Sequence, residues 1–159
     1  MLPYLFLGGE RNAHNHKELT YRTNVVGVLN MAWEVPNFFP SEFRYLNVSI
    51  SDDSSESISD AFGEITEFID ACRQVRGGGA VLVHCVQGIS RSTSACLYYL
   101  MRREGWPLRR AYAHVKALRP IMRPNKGFMR QLLAEEEELF GATTMDLDAL
   151  FPADEQYLL

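Results

Sequence analysis

AVLVHCVQGISRST, residues 80–93, decides how the rest of this sequence is read. Ala80–His84 is a short β-branched, apolar run and reads as a buried strand. Cys85 follows directly, five residues separate it from Arg91, and hydroxyl residues then open a helix. A loop between a strand and a helix N-terminus turns several backbone N–H groups inward, and the helix dipole adds partial positive charge. Such a cradle suits a tetrahedral oxyanion such as phosphate. Gly88 allows a sharp turn with no Cβ in the way. Arg91, at the loop's end, brings a planar fork that can hold two phosphate oxygens at once. The same positive field favours the thiolate of Cys85, which makes it a nucleophile near neutrality. A cysteine, an anion cradle and an arginine in one turn together describe covalent phosphoryl transfer.

Working outward, Tyr4–Leu7 reads as a short strand, Asn24–Asn30 (NVVGVLN) as a buried one, and Phe43–Ile50 as a third. Ile58, Phe62, Ile65, Phe68, Ile69 and Cys72 recur at helical spacing, with Ser57 or Ser59 as cap and Gly77-Gly78-Gly79 as the stop. Helices are expected at Ser92–Arg103, Leu108–Leu118 and about Lys126 to Phe140, the last capped by Asn125. Strands mixed with helices, then helices alone, predict an α/β fold: a central mixed, mostly parallel sheet flanked by helices.

At 159 residues, 47% hydrophobic and 23% charged, the chain has an ordinary globular profile, which excludes a disordered or low-complexity sequence. The apolar stretch Ala95–Met101 is far short of the ~20 residues a membrane span needs, and no signal peptide or lipid anchor is expected. Cys72, Cys85 and Cys96 are odd in number and form no CxxC pair, so neither disulfides nor a zinc site is expected and a reducing cytosol or nucleus fits. Net charge is −4, yet residues 102–130 carry +8 and residues 131–159 carry −8. Solvated helix faces account for this pattern as well as a basic surface beside an acidic tail does. The overall acidity argues against nucleic-acid binding.

HCVQGISRS (residues 84–92) matches the HCxxGxxR[ST] signature of the cysteine-dependent protein tyrosine phosphatases. The wider chain resembles the small dual-specificity branch of that superfamily, through LPYLFLGG, NVVGVLNM and RPIMRPNKGFMRQLL, ending near Phe140. That resemblance implies a protein tyrosine phosphatase-like fold, with a catalytic domain at 1–141 and an acidic tail at 142–159. It implies Cys85 as the nucleophile, Arg91 as the phosphate clamp, and Val86, Gln87, Gly88, Ile89 and Ser90 as the cradle. Ser92 matches the hydroxyl that bonds the departing thiolate, His84 a brace for the loop, and Asn125 a tie to a neighbouring turn. It implies a general acid from the loop before the long helix, at Asp52, with Asp53 as the alternative.

No metal or other cofactor is implied, and Cys72 and Cys96 read as packing residues. The expected substrate is a phosphorylated protein, on tyrosine and on serine or threonine. The loop interior lacks the lysine common in relatives that prefer phosphoinositides. Two alternatives stay open: a phosphatase of a non-protein phosphate (an RNA 5′ end, a glucan or a phosphoinositide), and a weakly catalytic phosphoprotein-binding module.

Overall fold

Ala80–His84 forms β4, buried at every position because it lies inside the sheet. Val81 and Val83 face one apolar cluster, and Ala80 and Leu82 face the other, as the two-residue period of a strand requires. In the computed structural model, which describes residues 1–152, β4 pairs with β1 (Leu5–Gly8) on one side and β2 (Val25–Asn30) on the other. The edge strand β3 (Arg44–Asn47) completes the order β1-β4-β2-β3. Every ladder is parallel, and the antiparallel contact is confined to an isolated bridge between Leu2 and Leu5. The sheet expected to be mixed and mostly parallel is thus parallel throughout its named strands among the described residues. Gly8, His84 and Asn30 are paired in register, so three strands end side by side. Parallel sheets bind ligands outside these carboxyl ends.

The larger core lies between the sheet and the helices α2 (Phe62–Arg73), α3 (Arg91–Glu104), α4 (Leu108–Leu118) and α5 (Lys126–Phe140). Helix α3 is buried without interruption from Arg91 to Met101, so it is the core's central rod rather than a surface helix. The smaller core covers the opposite face with Ala13 of α1 (Glu10–Ala13), Leu19 of a π-helical turn at Glu18–Arg22, and Phe43.

The expected elements are present, with differences at their ends. The predicted third strand overshoots: Val48 and Ile50 are buried by packing, but the ladder stops at Asn47. Neither Ser57 nor Ser59 caps the helix after it. A short 3₁₀ turn at Ser59–Ala61 leads into α2, and the side-chain oxygen of Gln131 on α5 accepts from the amides of Ile58 (2.9 Å) and Ser59 (3.0 Å). The cap comes from a partner distant in sequence, which no local pattern announces. Past α5, Thr144 bonds Glu136, and α6 (Leu147–Leu150) packs back on α5.

Candidate active site

β4 delivers Cys85 to the carboxyl edge of the sheet, and α3 begins at Arg91. Between them the chain turns at Gly88, whose φ of 68° lies in the left-handed region. A Cβ there would meet the Gly8 carbonyl and the Arg119 guanidinium, so only glycine fits.

Each carbonyl of this loop is engaged from outside. That of Cys85 accepts from His84 Nδ1 (3.1 Å) and that of Val86 from the Glu10 amide (2.8 Å). Arg119 donates to both the Gln87 carbonyl (2.7 Å, from Nη2) and the Gly88 carbonyl (2.7 Å, from Nε). The Arg123 amide holds Ile89, and the Ser94 amide and hydroxyl hold Ser90. Across a trans peptide the N–H points opposite to the C=O. The amides of Val86 through Arg91 are therefore turned inward, and among the described residues no cis bond breaks that rule. One amide reports this directly: Gly88 N–H donates to Cys85 Sγ at 3.2 Å. His84 must carry its proton on Nδ1, since a carbonyl only accepts. Burial, opposed by that bond, holds its pKa below the ordinary value, so it braces the loop as a neutral ring.

Arg91 is itself buried. Its Nη1 donates to Glu34 Oε2 (2.7 Å) and the Ile50 carbonyl (3.0 Å), and its Nη2 donates to Glu34 Oε1 (2.9 Å). A guanidinium has five N–H groups. Nε has no protein partner, and it stands beside the second Nη2 hydrogen. Those two parallel donors form one free edge, the geometry that two oxygens of a phosphate need. Burial opposes the charge on Arg91, but Glu34, with Cys85 and Asp52 nearby, raises its pKa above the ordinary value. The hydrogen bonds from Arg91 hold the Glu34 carboxyl below the usual range.

Ser92 Oγ, buried in the first turn of α3, lies 3.2 Å from Cys85 Sγ. A cleft of about 260 Å³ opens over the sulfur, lined by Glu34, Asp52, Cys85, Val86, Gln87, Ile89, Ser90 and Arg91. The two candidate acids separate clearly. Asp52 lines this cleft, and its Oδ1 accepts from Asn125 Nδ2 at 2.9 Å. Asp53 is fully turned to solvent, where the hydroxyl (2.6 Å) and amide (2.8 Å) of Ser55 hold its carboxyl below the usual range. A carboxylate stabilised in that way is a poor proton donor.

Asn125 joins three parts: its Oδ1 caps α5 at the Phe128 amide, its Nδ2 holds Asp52, and its own amide donates to Ser90 Oγ. Gln131 also fastens the Glu56 carbonyl (2.8 Å). Gly127 lets the backbone of Ser54 lie directly on α5, where any Cβ would occupy the same space as the Ser54 carbonyl. Burial raises the pKa of the Cys72 and Cys96 thiols, and both lie in the core. Among the described residues no three His, Cys, Asp or Glu side chains converge as metal ligands would.

Glu34, Arg119 and Gln131 were not read from the sequence as site residues. Glu34 did carry a signal, being the only charged residue between Arg22 and Glu42 in an otherwise uncharged stretch. Arg119 was one cation among nine in its segment and stood out by nothing.

This geometry can hold a tetrahedral anion over a thiol, with a carboxyl group at the rim. Comparison with known proteins points the same way. Residues 5–138 match the family model "Dual specificity phosphatase, catalytic domain". The mouse (Mus musculus) Protein phosphatase Slingshot homolog 3 is 46% identical over 132 residues, which cover 83% of this chain and 20% of that protein. The chain thus spans about a fifth of the length of this curated relative. The crystal structure of human DUSP28 superposes with a TM-score of 0.81 at 36% identity, covering 88% of this chain and 96% of that one. A mouse putative dual specificity phosphatase complexed with zinc tungstate gives 0.81 at 33% identity, over 96% and 91%. With a catalytic-domain match across most of its length and the cysteine cradle that such a domain is built around, the chain belongs to the dual-specificity phosphatase family of cysteine-dependent phosphatases.

Proposed function

We propose that this chain removes phosphate from protein side chains, phosphotyrosine and phosphoserine or phosphothreonine alike, through a phosphocysteine at Cys85. The observation that carries this is the loop's polarity: its carbonyls are held outward, so its amides surround Cys85 Sγ. A phosphate monoester enters with its oxygens against those amides and the free edge of Arg91. Sγ attacks phosphorus as the ester P–O bond breaks in line, and Asp52 gives its proton to the leaving oxygen. In the second step Asp52, now ionised, takes a proton from water. That oxygen attacks phosphorus, the S–P bond breaks, and Ser92 Oγ–H bonds the departing thiolate. His84 and Asn125 hold the loop and the acid without reacting.

The cleft walls contributed by Val86, Gln87 and Ile89 are uncharged, which favours a side chain carrying one phosphate over a polyanionic headgroup. The oxyanion in the related mouse tungstate complex is consistent with the same cradle chemistry. Three free cysteines among the described residues suit a reducing compartment, and we infer the cytosol or nucleus.

The test is Cys85→Ser against a panel of phosphopeptides, phosphoinositides and 5′-triphosphate RNA. Wild-type protein should turn over the phosphopeptides best. The variant should lose turnover by about 10⁴-fold or more while still binding inorganic phosphate. Retention of more than a few per cent of turnover would rule out the covalent route. Preferred turnover of lipid or RNA would reassign the substrate.

A further inference from the structure

The carbonyls that face out of the cradle are not held in equal ways. Those of Val86, Ile89 and Ser90 accept from backbone amides of Glu10, Arg123 and Ser94, which cannot leave without moving main chain. The carbonyl of Cys85 is tied to the adjacent His84 ring. Gln87 and Gly88 alone lean on one side chain from a separate part of the fold, that of Arg119 at the end of α4. These two peptide units flank the residue with positive φ, where the main chain is free to rotate most easily. If either peptide turned over, it would replace an inward N–H with an inward carbonyl oxygen and set partial negative charge against a bound dianion.

We propose that Arg119 is a positioning residue for the cradle: its guanidinium, bonded at once to the Gln87 and Gly88 carbonyls, locks both peptides with their amides inward. Its own base is fixed, since its amide bonds the Val115 carbonyl (2.8 Å) and its carbonyl accepts from the Met122 amide (3.0 Å). The planar fork presents two fixed donors to two neighbouring carbonyls, whereas a lysine ammonium is a point charge on a flexible stem whose rotatable donors are not pre-set to both. The positive charge also sits behind the amides, adding to the field that favours an anion in front of them.

The role rests on the phosphatase function proposed above, and the experiment separates the two. Tungstate affinity, kcat/KM on an aryl phosphate, and the ligand-free melting temperature are measured for wild type, Arg119→Lys and Arg119→Met. In Arg119→Met, tungstate affinity and kcat/KM should fall together by about 10–100-fold, because misdirected donors lose their effect on the oxyanion. Arg119→Lys should recover part of both and keep a melting temperature close to wild type. Tungstate affinity within twofold of wild type in either folded variant would overturn the proposal. If Arg119→Met does not fold, the lysine variant decides alone. Absence of turnover in the wild type would instead remove the phosphatase function, and turnover surviving Cys85→Ser its covalent route, while the tungstate comparison still judges Arg119.

Discussion

The two halves of the cleft are built on opposite plans. The phosphate side is one continuous segment, His84 to Ser92, seated between a buried strand and a buried helix. The acid side, residues 51–57, is largely exposed and keeps its place through side chains of α5 and of its cap Asn125, more than 70 residues away. In the proposed mechanism, a cradle built of buried main chain serves the steps in which phosphorus and sulfur must meet at fixed distance. In the same proposal, a carboxyl at the exposed rim serves a step that needs only a proton delivered to the leaving oxygen. The difference teaches that the buried, contiguous half of the cleft is the one that would face phosphorus, and the exposed half, held by remote side chains, the one that would face the leaving group.

Leaving groups offer the strongest way to break this division. Asp52→Asn should slow an alkyl phosphate such as phosphothreonine by about 10²–10⁴-fold and an activated aryl phosphate far less. The basic limb of the pH–rate profile should flatten with it, whereas Asp53→Asn should leave the limb intact. Equal losses on both substrates would mean that Asp52 shapes the cradle too, and the two halves would no longer be separable. Exchange of the two phenotypes would move the acid to Asp53.

A smaller effect sharpens the comparison from the acid side. Gln131→Ala leaves the amides of Ile58 and Ser59 without their acceptor and frees the Glu56 carbonyl. The loss of this cap should cost about 1–2 kcal/mol, read from chemical denaturation. Turnover of the alkyl phosphate should drop several-fold while tungstate affinity holds. A matching fall in tungstate affinity would show that the acid loop supports the cradle.

The smallest effect belongs to the cradle side and to pH. Folding lowers the pKa of His84, so between its folded value and the unfolded value near 6.5 the unfolded chain binds more protons. This group's part of the stability is therefore whole above about pH 6.5 and is lost as pH falls below it. Denaturation midpoints should drift down over that range, and less so in His84→Gln. An identical drift in that variant would assign it to other groups.

The cradle side was legible in the sequence because its parts are neighbours: strand, Cys85, Gly88, Arg91 and Ser92 stand in one run. Asp52 was legible through the family resemblance, and Asn125 through that resemblance and its cap position. What stayed hidden depends on distance. Glu34 meets Arg91 across 57 positions, and Gln131 replaces a serine cap from 72 or 73 positions away. Arg119 reaches the loop across 31 or 32 positions. A side chain that acts by bonding remote main chain leaves no periodicity or spacing to read. The third strand was overdrawn for a related reason, since burial of Val48 and Ile50 alternates as a ladder would.

Arg91 and Ser92 are the first two residues of the helix that runs buried through the middle of the protein. An opening large enough to release the cradle must therefore disturb the central rod, which couples ligand occupancy to the cooperative unfolding of the whole domain. Any tetrahedral anion in the loop, the product phosphate included, then acts as a ligand of the native state alone. At a free concentration of 100 times its Kd it adds about 2.7 kcal/mol to global stability. Amides deep in α3, from Leu97 to Met101, would gain protection from hydrogen exchange although they touch no ligand. On the proposed function, the phosphate released in each turnover is in this sense also a folding cofactor for the domain that produced it.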